Sequence, residues 1–183
     1  MAVAPSSDED HLKRRSNRGV TLAESLLVVT VMLVMGAVTL PHLLGMLQLR
    51  RLEAASADWT RVLQSARHWS FTLNTPVRLE VKTTSPACLL LHTGARDGCS
   101  GCVTPACHGD AKLLASTALL PTDLSASSNS VSLAWNPADR TVTPTGTIKL
   151  ELPDGRAIHH VVNLAGRLRT CSPSGLVWGI TPC

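Results

Sequence analysis

Between Val20 and Leu49 the sequence almost lacks charge: Glu24 is the one formally charged side chain and His42 the one other titratable group. A helix of that length runs roughly 45 Å, whereas a bilayer core takes about 20 residues. The run is therefore predicted to cross a membrane and continue beyond it. It is about twice as long as the apolar part of a secretory signal and has no Ala-x-Ala site at its end, which excludes an ordinary cleaved signal peptide. Also missing are a serine–histidine–acid arrangement, a glycine-rich phosphate loop and a paired-carboxylate motif, so no enzyme, catalytic residue or cofactor is expected. No acidic residue follows Asp154, so nothing nearby in sequence neutralises the basic residues of the C-terminal tail. Internal repeats are absent, and the only biased tract is the Ser-rich "SASSNS" (125–130).

What is present starts with length: 183 residues suit one domain plus an anchor. Lys13, Arg14, Arg15 and Arg18 directly precede the apolar run and Arg50 and Arg51 directly follow it, a bias that puts the N-terminus in the cytoplasm and the rest outside. All six cysteines (Cys88, Cys99, Cys102, Cys107, Cys171, Cys183) lie beyond the run. In an oxidising compartment such as a bacterial periplasm, disulfides are their default state. Six cysteines allow fifteen full pairings, and the spacing selects none of them. The net charge of +4 is mild, so any anion-binding role must rest on local clustering.

After Arg51 the apolar pattern becomes one-sided. Leu52, Ala55, Trp59, Val62, Ala66, Trp69 and Leu73 recur at steps of three and four, which predicts an amphipathic helix laid on a core, with both tryptophans as packing residues. Asn74-Thr75-Pro76 ends it, because the residue before proline is pushed out of the helical region. Strands are predicted at 77–83, 87–93, 130–135, 146–152, 157–164 and 166–171, with tight turns at 153–155 and 165–166. A helix followed by an antiparallel sheet is an α+β arrangement. Residues 94–129 read as a cysteine-rich loop.

Within "CSGCVTPACH" (99–108), Cys99 and Cys102 form a CxxC, while Cys102, Cys107 and His108 form a CxxxxCH of haem-attachment type. Zinc is disfavoured because no second CxxC stands at ribbon distance, and thioredoxin chemistry because the CxxC lies in a Gly/Pro loop. Structural disulfides are the expected use, and no metal site is assigned. His159 and His160 are adjacent on a strand and so point to opposite faces, one packed and one solvated. In "GRLRTCSPSG" (166–175), Arg167 and Arg169 are two apart on a strand, on one face and about 7 Å from each other. That matches the roughly 6–7 Å between successive phosphates along a nucleic-acid strand. Lys149 or Arg156 on the neighbouring hairpin would extend the patch, and a Cys171–Cys183 clasp would hold the tail beside it with Trp178 free to pack or stack.

The stretch "RGVTLAESLLVV" (18–29) resembles the class III leader junction of type IV pilins and type II secretion pseudopilins. Gly19, Thr21, Leu22, Glu24, Leu26 and Leu27 match the pattern; Val20 replaces the usual phenylalanine and Ala23 the usual isoleucine or valine. The resemblance implies that a prepilin peptidase cuts after Gly19 and methylates the new terminus at Val20. Glu24 then becomes the fifth residue, able to pair with that amine or with a neighbouring subunit's, which sets register in an apolar bundle. Pro41 sits where pilin helices commonly carry a proline, and its missing N–H predicts a bend or local melting near 37–41. Gly166-Arg167-Leu168-Arg169, after a hairpin near the C-terminus, is similar to the motif of the GspH/FimT family, whose FimT-like members use it to bind DNA in natural transformation.

The resemblance implies a ladle-shaped pilin-like fold, a long helical spine packed on an antiparallel β-sheet head. Its expected parts are a cytoplasmic leader (1–19, removed), a transmembrane and filament-core helix (20–49), the amphipathic half of the spine (50–75) and a β-rich head (76–183). The head carries the cysteine-rich loop 94–129 and the C-terminal tail 166–183. It also implies a minor pilin, held in the bacterial inner membrane with its head in the periplasm and then assembled with other pilin subunits into a surface pilus. There, Gly166, Arg167, Arg169, Lys149 and Arg156 would bind the backbone of double-stranded DNA. The other reading is a structural minor pilin or a GspH-like type II secretion pseudopilin that primes or caps assembly without DNA. A third, a membrane-anchored thiol or haem protein using residues 99–108, differs in needing free thiols or a bound haem. Mass spectrometry of the membrane-extracted and filament-assembled protein is expected to find the chain starting at methylated Val20; residues 1–19 intact in filaments would sink the processing scheme.

Overall fold

The computed structural model describes residues 20–173, 175 and 177–183; the expected leader, with Gly19, lies outside them. One helix, α1 (Leu22–Leu73), opens the described chain. Thr21 caps it: its Oγ1 accepts from the Glu24 amide at 3.3 Å, and its carbonyl takes the Ser25 amide at 3.1 Å. Thr21 and Glu24 thus stand at the spacing of a capping box. Glu24 therefore lies in the first turn, where the positive end of the helix dipole favours a carboxylate. The helix continues without interruption through Pro41. Only the bond to the Ala37 carbonyl is forfeited there, and the expected local melting does not occur, because the residues on either side keep their own i→i−4 bonds. Asn74, in a left-handed conformation (φ 48°), ends the helix ahead of Pro76.

The chain divides into two compact units, the first ending at His42 and the second running Leu43–Cys183. The apolar side chains from Leu22 to Leu47 are mostly exposed, and α1 is long and apolar enough to cross a membrane. From Leu52 onward the helix buries one stripe: Leu52, Ser56, Trp59, Val62, Leu63, Ala66 and Ser70. Trp69 packs against the core from the rim of that stripe. Leu73, expected to close it, is 39% exposed because the helix is already turning out toward Asn74.

Among the described residues eleven strands follow: β1 (Val77–Lys82), β2 (Cys88–Thr93), β3 (Cys99–Ser100), β4 (Ala106–Cys107), β5 (Leu113–Ser116), β6 (Ser125–Ser128), β7 (Ser132–Asn136), β8 (Thr141–Thr143), β9 (Gly146–Glu151), β10 (Ala157–Val162) and β11 (Leu168–Cys171). They form a five-stranded sheet, β5-β2-β1-β7-β8, a four-stranded sheet, β11-β10-β9-β6, and the small ribbon β3-β4. Every pairing is antiparallel. This is the α+β arrangement expected, a long N-terminal helix packed on antiparallel sheets. Period-two alternation turns Val77, Leu79 and Val81 of β1, with Leu89 and Leu91 opposite, toward α1. Ile148, Leu150, Ile158 and Val162 of the other sheet complete the same core.

The reverse face of the five-stranded sheet is dry as well: Glu80, Leu90 and His92 are fully buried. Residues 94–112 cover them. Expected as plain loop, the stretch 94–129 instead carries β3 to β6, strands of two to four residues that are too short to show a period in sequence. The cover is held by the Cys88–Cys102 and Cys99–Cys107 disulfides and by the Thr93 amide, which donates to the Lys112 carbonyl at 3.0 Å. Beneath it, Glu80 takes the Asp97 amide and His92 Nε2 (3.1 Å) on Oε1 and Lys82 Nζ (2.9 Å) on Oε2. Burial pushes this carboxyl up, but the hydrogen bond and charge of Lys82, with help from His92 and the Asp97 amide, outweigh it and hold the group below its ordinary value. Removing the carboxylate leaves the fully buried His92 Nε2 without its partner, while Lys82, about a quarter exposed, keeps Asp97 at 3.7 Å, so Glu80→Ala is expected to cost about 2–3 kcal/mol. Glu53→Ala, which loses only an exposed pair with Arg50, should cost less than about 1 kcal/mol. Denaturant midpoints of the two variants check the contrast.

Candidate nucleic-acid interface

The four-stranded sheet turns His160, Ile148 and Val162 inward to the core and the alternate residues outward. Register places Lys149, His159 and Cys171 in one outward row and Thr147, Val161 and Arg169 in the next. Lys149 and Arg169 thus flank β10 on one face, about 12 Å apart by strand spacing and rise. Arg167 stands one residue ahead of β11; it and Arg169 are exposed, while Leu168 between them packs on the core. Among the described residues, none of these three cations has a carboxylate partner. Glu151, two residues along β9 from Lys149, is the acidic boundary of the face.

Backbone geometry aims the arginines. Asn163 closes the turn between β10 and β11: its carbonyl accepts the Gly166 amide at 2.9 Å and its Oδ1 the Arg167 amide at 2.8 Å. Gly166 has φ +69°, and a Cβ there would stand 3.2 Å from Val142 Cγ2 and 3.4 Å from Trp135 Nε1. Glycine is therefore required twice, for a left-handed residue and for close approach to β7 and β8. Its role in the motif is to position the arginines. At the other end of β11, the Cys171–Cys183 disulfide closes the tail on itself, and Arg169 Nη2 donates to the Pro182 carbonyl at 3.3 Å.

Arg156 does not join this face. Its guanidinium is bound by Asp154 (2.6 Å) and donates to the Gly45 carbonyl of α1 at 3.2 Å, with the side chain only 17% exposed. It tethers the β9–β10 turn to the helix, at the far end of β10 from Arg167. The hydrogen bonds from Arg156 hold the Asp154 carboxyl below its usual range, with burial opposing. The residue that sequence reading missed is Arg140, exposed at the turn between β7 and β8. It comes near the Gly166 turn because Val142 N donates to the Leu164 carbonyl at 2.8 Å. Strand β8, only three residues long, left no period to read.

All six cysteines form bridges, as Cys88–Cys102, Cys99–Cys107 and Cys171–Cys183. The two halves of the CxxC take different partners, so Cys99 and Cys102 are no dithiol pair, and the thiols that a haem attachment at Cys102 and Cys107 needs are spent. His159 is the solvated member of its pair and His160 the packed one, as expected. Partial burial and the charge of Lys149 lower the His159 imidazole, against an opposing pull from Glu151. His160 lies between Ser56 Oγ (3.3 Å from Nε2) and Thr170 Oγ1 (3.4 Å from Nδ1), linking α1 to β10 and β11. Burial, with a smaller push from His159, drives it down to about 4. The unfolded chain, with histidine near its ordinary value of about 6.5, then binds more protons than the folded one between those two values, so stability falls as pH drops from about 6.5 to about 4. The thermal midpoint should decline over that window, and His160→Gln should flatten the decline.

No protein-family model and no curated protein sequence matches the chain. Among solved structures, the chain is similar to the minor pseudopilin EpsH from the Type 2 Secretion System of Vibrio cholerae, at 13% identity and a TM-score of 0.49, over 67% of this chain and 98% of that one.

Proposed function

We propose that the chain is a minor pilin-like subunit whose head binds double-stranded DNA, without sequence preference, for uptake in natural transformation. The observation that carries the proposal is the outward cluster of Arg167, Arg169 and Lys149, on one sheet face and without carboxylate partners among the described residues. Phosphates are the natural complement of such a cluster, and contacts of that kind hold DNA without reading its bases. The anchoring half of the proposal rests on the Gly19-Val20 junction, the first-turn Glu24 and the uncovered apolar length of α1. Cleavage by a prepilin peptidase puts a charged amine at Val20, one turn from Glu24, and the apolar helix serves first as the inner-membrane anchor and then as the contact with other pilin subunits.

A second reading, an assembly subunit of a pilus or of a type II secretion pseudopilus, draws on a different observation. A cleft of about 240 Å³, mostly apolar, opens beside Trp59 and Leu119 on the head, a shape that suits a neighbouring subunit. Binding of the detergent-solubilised full chain to short duplex DNA at two salt concentrations separates the readings. Arg167→Ala/Arg169→Ala is expected to weaken binding and to lower the log–log salt slope by about two, one per lost phosphate contact. Equal binding by both proteins, or none by either, leaves the assembly reading.

A further inference from the structure

Trp178 stands apart from the other tryptophans. Trp59 and Trp135 are buried and Trp69 packs on the core, but Trp178 is 93% exposed. Its backbone is nevertheless held. Val177, just before it, is buried in the core, and Ile180, two residues on, packs against that core. The Ile180 amide closes the turn on the Val177 carbonyl at 3.4 Å, with Gly179 at φ +81°, the pattern of a type II turn with Trp178 at its first corner. The following residues are stapled to the end of β11: Ser172 N donates to the Thr181 carbonyl at 2.9 Å, Cys183 N to the Ser172 carbonyl at 3.3 Å, and Cys171 and Cys183 are bonded. The same tail carries the Pro182 carbonyl that Arg169 touches. Four residues span at most about 14 Å, so the backbone of Trp178 lies within about 14 Å of that contact.

An aromatic plate on a hydrogen-bonded turn, in the same tail as cations without carboxylate partners among the described residues, suits a ligand with flat apolar faces and phosphates. In duplex DNA the base faces are already stacked on one another; in a single strand they are free. We infer that Trp178 is a stacking platform for an unpaired base, and that the head engages single-stranded DNA by adding this contact to the phosphate contacts of Arg167, Arg169 and Lys149. The inference rests on the DNA-binding reading and adds to it a preference in substrate. Stacking does not discriminate strongly between bases, because every base has a π-face.

The test measures binding of the detergent-solubilised full chain to labelled oligothymidine and to a duplex of the same length. Wild type, Trp178→Ala, Trp178→Phe and Arg167→Ala/Arg169→Ala run side by side. Trp178→Ala should weaken single-strand binding by roughly 5- to 150-fold, the range of one base–aromatic stack, and leave duplex binding within about twofold. Trp178→Phe should retain most of the affinity. Oligothymidine should quench the tryptophan emission of wild type but not of Trp178→Ala; the chain has four tryptophans and no tyrosine to confuse the signal. Single-strand binding unchanged in Trp178→Ala, with arginine-dependent duplex binding intact, overturns the stacking role and leaves the basic face standing. Equal losses on both forms of DNA overturn the preference. Failure of wild type to bind either form overturns the DNA reading and the platform together.

Discussion

Trp59, Val62, Leu63 and Ala66 put one face of α1 into the core that the inward side chains of both sheets share. The contact is more than apolar area. Ser56 reaches His160 in the middle of it, and the Ala118 amide and Arg51 hold flanking segments through Asp58 (2.9 Å) and Asp123 (3.1 Å). Because the inward face of β10 is fixed on the helix, period-two geometry fixes what β9, β10 and β11 present outward. A one-residue slip of β10 would bury His159 and expose His160, and would break the core with it. The orientation of the basic face is thus a consequence of helix packing.

Two positions sharpen that consequence. Gly166 lets the turn into β11 lie against Val142 and Trp135. Arg156, which composition alone would add to the positive patch, is drawn by Asp154 and the Gly45 carbonyl toward the helix. The resulting face is small, two arginines and a lysine, with Arg140 near its border and Glu151 closing the other side. On the proposed DNA-binding reading, a cluster of this size would hold phosphates only weakly by itself.

The cysteine-rich stretch has a structural explanation that does not involve catalysis. A five-stranded sheet with α1 on one face must still shield Leu90 and the Glu80–His92 pair on the other. Residues 94–112 do this with very little regular structure of their own, and two disulfides limit the conformational freedom that so short a cover would otherwise have. Glu80 then ties the cover to β1 through the Asp97 amide.

Local pattern was enough for several features of this protein. The nearly charge-free run announced a long apolar helix, steps of three and four announced its buried stripe, and Asn74-Thr75-Pro76 announced its end. Strands β1, β2, β7 and β9 to β11 were legible, β1 from its alternation and β2 from a short continuous apolar run. Adjacent histidines on a strand had to face opposite ways. Tertiary structure alone decided the rest. The three disulfide pairings, the withdrawal of Arg156, the close approach of Gly166 to Val142 and Trp135 and the burial of Glu80 all depend on residues distant in sequence meeting in space. So do β3, β4 and β8, which are too short to carry a period and exist because longer neighbours offer them an edge.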